Sequence, residues 1–394
     1  MSILERIRSF HEGRDPERLA IKYQILAGSP FAFFRGTAQL FYEDLVKDAG
    51  QLPPSPKVWI SGDAHMENFG VYKGDNRLVY FDYNDFDEAA LAPATWELIR
   101  MLVSIALSIP KADQCRLLAE AFLTEYSMEL ATGKPRWVER ATARDGVRDL
   151  VYSLKGRTRK QLLKRRTMLH GGSRAIRTDG EFALPLLPGE WESLREFLKD
   201  FADHNGRPDF FELLSAGRRI AGNGSLGVNR YILLVEGKGS PDKNYLLDLK
   251  QSHPSVIAAH IPQPEWPSQA HRIVSIQQRM QAIAPAFLHP VSLTGEPYVL
   301  RELVPREDRI RLSAFLDRPA VLQQILTTEG SVMAWAQLRS SGRQGSSNAD
   351  GLIAFGADTT WHEPLIELAN QYAKRITREQ KEFRKATSSG LKKA

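Results

Sequence analysis

Residues 222–250 read GNGSLGVNRYILLVEGKGSPDKNYLLDLK. How this stretch is read decides the fold. Gly222, Gly224 and Gly227 stand at G-x-G-x-x-G spacing. A dinucleotide-binding fold needs a helix directly after such glycines. Here a strand-like run follows instead, VNRYILLVEG. It is followed by a Lys238-Gly239-Ser240-Pro241-Asp242 turn and a second run, NYLLDLK. Two apolar runs around a tight turn are a β-hairpin signature. The glycines therefore bridge strands, and Lys250 lies near the end of the next strand. A glycine loop of this kind covers phosphates, and the lysine supplies charge to them.

A second cluster lies far upstream. Ser61-Gly62-Asp63-Ala64-His65-Met66-Glu67-Asn68 follows a short apolar strand, Val58-Trp59-Ile60. Asp63 and Asn68 stand at D-x-x-x-x-N spacing, so one loop at the strand's end can carry both. A second strand, Leu78 to Phe81, is expected after the Lys73-Gly74-Asp75-Asn76 turn, with Asp82 at its end. The return of that strand is expected to set Asp82 beside Asn68. A carboxylate and an amide oxygen together suit Mg²⁺, which takes hard oxygen ligands. Asp63 is then left to accept a hydroxyl proton, in the layout of a phosphoryl-transfer site. His65 is expected to orient that loop. It has no second histidine at zinc-ligand spacing. Asn84, Asp85 and Asp87 are turn residues that can also assist the ion.

These motifs carry a resemblance. GDAHMEN followed by YFDYNDFD looks like the catalytic loop and metal-binding aspartate of aminoglycoside phosphotransferases and choline-kinase-like enzymes, within the protein-kinase-like superfamily. Ala92-Pro93-Ala94-Thr95-Trp96-Glu97-Leu98 is similar to the start of the helix that follows there. More closely, SPFAFFRG, GDAHMENFG, FDYNDFDEA, the glycine loop, the DLK segment and YVLREL resemble, in that order, an uncharacterised bacterial family, a domain of unknown function, over about residues 20–380. The kinase resemblance implies an α+β, bilobal protein-kinase-like fold with a mainly helical large lobe and a small antiparallel-sheet lobe. Because Asp63 and Asp82 precede Gly222 and Lys250, the fold is expected to be circularly permuted. The resemblance further implies ATP and Mg²⁺ as cofactors. In it Asp63 and His65 are catalytic, Asn68 and Asp82 hold the metal, and Gly222, Gly224, Gly227 and Lys250 bind the nucleotide. Its acceptor is a small hydroxylated metabolite.

Two positions depart from the kinase pattern. Ser61 stands two residues before Asp63, where a histidine or its equivalent is expected. The helix expected over Ser268 to Ile283 offers Ser275, flanked by Gln277 and Gln278, where a glutamate would pair with Lys250. Asp248 or Asp82 is the expected substitute. These departures leave open a catalytically inactive nucleotide-sensing or RNA-binding protein. A metallophosphoesterase is a third reading, because G-D-x-H also begins such sites, but no N-H-D motif accompanies it.

Composition bounds the rest. The 394 residues are enough for a large core and a cleft, at about 150 residues per domain. A hydrophobic share of 42% and a charged share of 25% exclude a disordered chain. A net charge of +6 suits an anionic ligand without itself indicating nucleic acid. One cysteine, Cys115, can form no internal disulfide, and because charges interrupt every apolar run of MSILERIRSFHEGRD no signal peptide is expected there. A cytoplasmic protein is expected, with no membrane partner. The basic stretch 155–177 lacks interleaved aromatics for base stacking and reads as a solvated helix face. Arg35 reads as a structural salt bridge. The chain divides into an N-terminal helical segment (1–57), a catalytic-loop and metal-binding part (58–205), a β-rich nucleotide lobe (206–305) and C-terminal helices (306–394). The last residues of the chain are expected to fray.

Overall fold

The structure, a computed structural model, describes residues 1–222, 224–305 and 308–390, the side chains of 389 and 390 excepted. Asn223 of the glycine loop and the last four residues of the tail lie outside the described residues. The fold is mixed α+β. Thirteen α-helices among the described residues surround antiparallel sheets.

The expected hairpin forms. Arg230–Val235 pairs antiparallel with Tyr245–Gln251, from Arg230 opposite Lys250 to Val235 opposite Tyr245. It belongs to a six-stranded sheet. From one edge the order is His289–Leu293, Glu296–Glu302, Tyr245–Gln251, Arg230–Val235, Leu213–Arg219 and Ala183–Leu184. The alternation of a strand sorts its side chains. Tyr245, Leu247 and Leu249 pack with Leu194 and Leu198 of the helix Glu190–His204. Asp248 and Lys250 therefore face the other way.

The apolar core is divided. The larger cluster joins residues 3–154 to residues 256–383, so the N-terminal and C-terminal helices share one body. The sheet carries its own cluster over residues 194–300, with a small one behind it. The helix Gln269–Met280 lies between the lysine strand and His289–Leu293 in sequence, and its N-cap Ser268 accepts from the His271 N–H. It bridges the two bodies, with Ile273, Val274 and Ile276 in the larger core. No helix among the described residues is long and apolar enough to cross a membrane.

After the 61–68 loop and its strands the chain forms two helices, Ala94–Ser108 and Ala112–Thr132. Pro110 separates them, because proline cannot continue the hydrogen-bond ladder. The basic stretch is largely neutralised. Arg157 forms a two-armed pair with Asp308 (2.6 and 2.8 Å), Lys160 and Arg174 share Asp242, and Arg159 stacks 3.3 Å above the Tyr245 ring. Cys115 is buried and free.

Candidate functional site

The 61–68 loop is set by one helix. Ala94–Ser108 is apolar except along a stripe at spacings of three and four, which share a helix face. Glu97 accepts from the Ser61 N–H and Oγ–H (2.6 and 2.7 Å). Arg100 donates to Asp63 Oδ1 from Nε and Nη2 (3.0 and 2.6 Å). Ser104 Oγ accepts from the Met66 N–H (3.1 Å). Ser61, where the motif departed from expectation, is thus the loop's anchor to Glu97. Gly62 has φ +76°, and a Cβ there would collide with the Glu88 carbonyl, so only glycine fits. Arg100 is fully buried over the Phe34 ring (4.2 Å). Burial pushes the Asp63 carboxyl above its usual range, and the Arg100 guanidinium opposes that push. Such a carboxylate is suited to receive a proton.

His65 is buried. Its Nδ1 lies 3.1 Å from the Glu67 N–H, and its Nε2 lies 3.2 Å from Arg35 Nε and 4.0 Å from Asp63 Oδ2. Burial, with Arg35 and Arg100 close by, holds its pKa well below the usual value, so the ring is neutral. Arg35 also pairs with Glu67 (2.5 Å), the expected salt bridge.

Asp82 is not at the site. Its strand runs Val79–Tyr83, two residues further than the sequence suggested, and Asp82 lies inside it opposite Gly70. Its oxygens accept from the Tyr83 and Ala282 N–H groups (2.9 and 3.2 Å) and meet Arg339 (3.3 Å). The residue returning to Asn68 is Asn84, whose N–H donates to the Asn68 carbonyl (3.0 Å). Asp85 follows it. The Asn68 Nδ2 donates to the backbone carbonyls of Asp63 (3.0 Å) and Asp85 (3.5 Å), tying the two loops together. Its Oδ1 is buried, with no partner among the described residues.

Lys250 is held from the same loop. Its Nζ pairs with Asp87 and lies 3.7 Å from Asp85 Oδ1. Burial alone would raise the Asp85 carboxyl, but Lys250 and Arg309 outweigh it and hold it below the usual range. Neither substitute expected for the missing glutamate is the partner. Asp82 is engaged as described, and Asp248 is surrounded by Arg219, Arg230 and Arg301 (2.7, 2.5 and 3.5 Å).

One cavity gathers these groups. Asp63, His65, Asp85, Asp87 and Lys250 line it together with Gly222 and Gly224. Asn68, Asp82 and Gly227 do not line it. Gly222 adopts φ +76° as the chain leaves the sheet. The N-terminal helices and the turn between the first two add Arg14, Lys22 and Arg35 to its lining. Of the residues that sequence reasoning missed, Glu97 and Arg100 had a signal, the polar stripe in an apolar helix. Lys22 had none, since it sits among ordinary helix charges.

The sequence itself matches a bacterial family over residues 14–386, which is most of the chain. The chain belongs to that family, described as uncharacterized protein conserved in bacteria (DUF2252). No curated protein and no solved structure matches it. The match includes the 61–68 loop, Asp85, the glycine loop and Lys250, so the family's span contains the whole cavity except Phe10.

Proposed function

We propose that the protein is an ATP-dependent, Mg²⁺-requiring phosphotransferase acting on a hydroxyl acceptor, with a circularly permuted kinase-like fold. One observation carries this reading. Asp63 and His65 share a cavity with Gly222, Gly224 and Lys250, although more than 150 residues separate the two groups. The sheet order supports it. A glycine-loop hairpin, a lysine strand, a helix and two further strands follow one another as a nucleotide lobe requires.

Asp63 accepts the acceptor's proton, positioned by Arg100. Lys250 offsets charge on the donor's phosphates. The glycine loop brings backbone close to them. The residues fit a magnesium ion if Asp85 replaces Asp82 as its carboxylate. Asp85 lines the cavity, and the Asn68 Oδ1, buried just behind the Asp85 loop, has no partner among the described residues, whereas the Asp82 oxygens are already engaged. Held by Asp85 and Asn68, Mg²⁺ would supply positive charge against the charge developing on the donor's phosphates. One carboxylate, an amide oxygen, phosphates and waters suffice for this ion. A metallophosphoesterase needs a denser set. Among the described residues no group of three His, Cys, Asp or Glu is arranged to hold a metal. An inactive nucleotide-binding protein is the second reading, favoured by the ion pair that already ties Lys250 to Asp87.

Thermal shift with ATP, with and without Mg²⁺, tests the proposal. The parent is expected to gain a Mg²⁺-dependent shift. Asp85→Asn should lose it, and Asp82→Asn should keep it. The opposite pattern reverses the ligand assignment, and no shift with the parent refutes the nucleotide reading.

A further inference from the structure

Two groups of cations share the cavity with Asp63. One is Lys250 and Arg309, facing Asp85 and Asp87. The other is Arg14 and Lys22, with Glu88 near both and Asp63 near Lys22. The first pair is matched by carboxylates, as a metal–nucleotide site requires. The second pair is not.

Lys22 belongs to the helix Pro16–Gly28 and is only 1% exposed. Its ammonium has three donors and, among the described residues, one hydrogen-bond partner, the Gly224 carbonyl (2.7 Å). Arg14 lies 4.8 Å above the Phe10 ring. Among the described residues no carboxylate comes within ion-pair distance of either. The nearest candidate, Glu88, spends Oε2 on the Val256 N–H (2.7 Å). A buried ammonium without a counter-charge is strongly disfavoured unless something completes it. Burial, with Arg14 beside it, accordingly pulls the Lys22 pKa well below its usual value. An anion entering the cavity would supply the missing charge.

We infer that Arg14 and Lys22 form a second anion site, on the acceptor side of Asp63, and that the acceptor is a hydroxylated molecule carrying a phosphate or carboxylate group. This rests on the phosphotransferase reading for the word acceptor, and the anion site itself does not. The inference opposes a polycationic acceptor such as an aminoglycoside, because two uncompensated cations would repel it. It also gives the N-terminal helices a role. They hold the glycine loop through Lys22 to the Gly224 carbonyl, Asp15 N–H to the Gly227 carbonyl (3.1 Å) and Arg18 Nη1 to the Val228 carbonyl (2.9 Å). The same helices thus form one wall of the acceptor pocket.

The test is calorimetry on the full chain, with Mg²⁺ and a non-hydrolysable ATP analogue present. Inorganic phosphate and glycerol 3-phosphate are the probes, gluconate is the carboxylate probe, and choline is the cationic control, all at constant ionic strength. At least one anionic probe should bind, and choline should not. Lys22→Met should weaken that binding by about tenfold or more, as loss of a charge-assisted contact does. Arg14→Gln, at a less buried position, provides the same reading should Lys22→Met fail to fold. Anion binding unchanged in both variants, absent in the parent, or weaker than choline binding overturns the inference. The two readings fail separately. Nucleotide binding without variant-sensitive anion binding removes only the second anion site. Variant-sensitive anion binding without nucleotide binding keeps the site and removes the donor.

Discussion

Two charged clusters lie on neighbouring parts of this protein, and they differ in whether their charges open on the cavity. On the sheet, Asp248 is 1% exposed and surrounded by Arg219, Arg230 and Arg301, with both oxygens taken by Arg230 alone (2.5 and 2.8 Å). Arg219 in turn donates to the Val304 carbonyl (3.1 Å). Burial alone would raise the Asp248 carboxyl, but Arg219 and Arg230 hold it well below its usual range. Burial lowers the Arg219 guanidinium to about 9 despite that partner. None of these four residues lines the cavity, although the buried Arg219 Nη1, close to Asp248, makes no hydrogen bond of good geometry among the described residues. In the cavity the groups are comparably charged, yet among the described residues two of the three Lys22 donors have no hydrogen-bond partner and Arg14 has no carboxylate within ion-pair distance. Charge alone does not mark a site. Unfilled bonding capacity opening on a cavity does.

The largest effect should fall on turnover. Asp63→Ala is expected to lower kcat by about 10²–10⁴-fold while ATP affinity stays nearly unchanged, because it removes an interaction made only in the transition state. Steady-state kinetics with calorimetric ATP binding measures both. Retained turnover would make the cavity no more catalytic than the Asp248 cluster.

The next effect is on stability and belongs to the sheet. Asp248→Ala leaves buried arginines without their counter-charge and should cost roughly 3–5 kcal/mol. Urea unfolding reads this. A loss below about 1 kcal/mol would mean the arginines find water instead.

The smallest effect concerns a third arrangement, unfilled capacity with no opening. Glu329 is fully buried, and among the described residues neither carboxyl oxygen has a partner. Burial, with Glu67 adding to it, pushes this carboxyl well above its usual value. A folded value above the unfolded one of about 4.3 means the contribution is fully present below that pH. It is lost as pH rises towards the folded value. Glu329→Gln carries no such charge. It should therefore be more stable than the parent near pH 8 by on the order of 1–3 kcal/mol, with the gap narrowing towards about pH 4.5. Denaturant unfolding at the two pH values checks this. A gap independent of pH would show that the carboxylate charge is not the cause.

How much of this was legible differs by residue. Lys250 and the hairpin were readable, because a strand's alternation and a tight turn are local properties. Asp63 and Asn68 were readable as a pair, because five residues in one loop travel together. Asp82 was misread by two residues of strand length. A strand end depends on where pairing stops, and here pairing continues to Phe69 opposite Tyr83. That small shift turned Asp82 towards Arg339 and brought Asp85 to the cavity. The partner of Lys250 was unreadable for a related reason. Asp87 is 163 residues away in sequence, and no local pattern selects it over Asp248, which shares the lysine's strand.

The sequence by itself determined the composition class, the glycine-loop hairpin, the D-x-x-x-x-N loop and the apolar helices, all of which follow from periodicity and turn chemistry within short windows. Only the tertiary structure decided which aspartate faces the cavity and that Glu97 and Arg100 hold the loop. It also decided that Lys22 and Arg14, from the first helices, complete the wall. The physical reason is range. Backbone propensity acts over a few residues, whereas desolvation and ion pairing act between whatever side chains the packed core brings within a few ångströms.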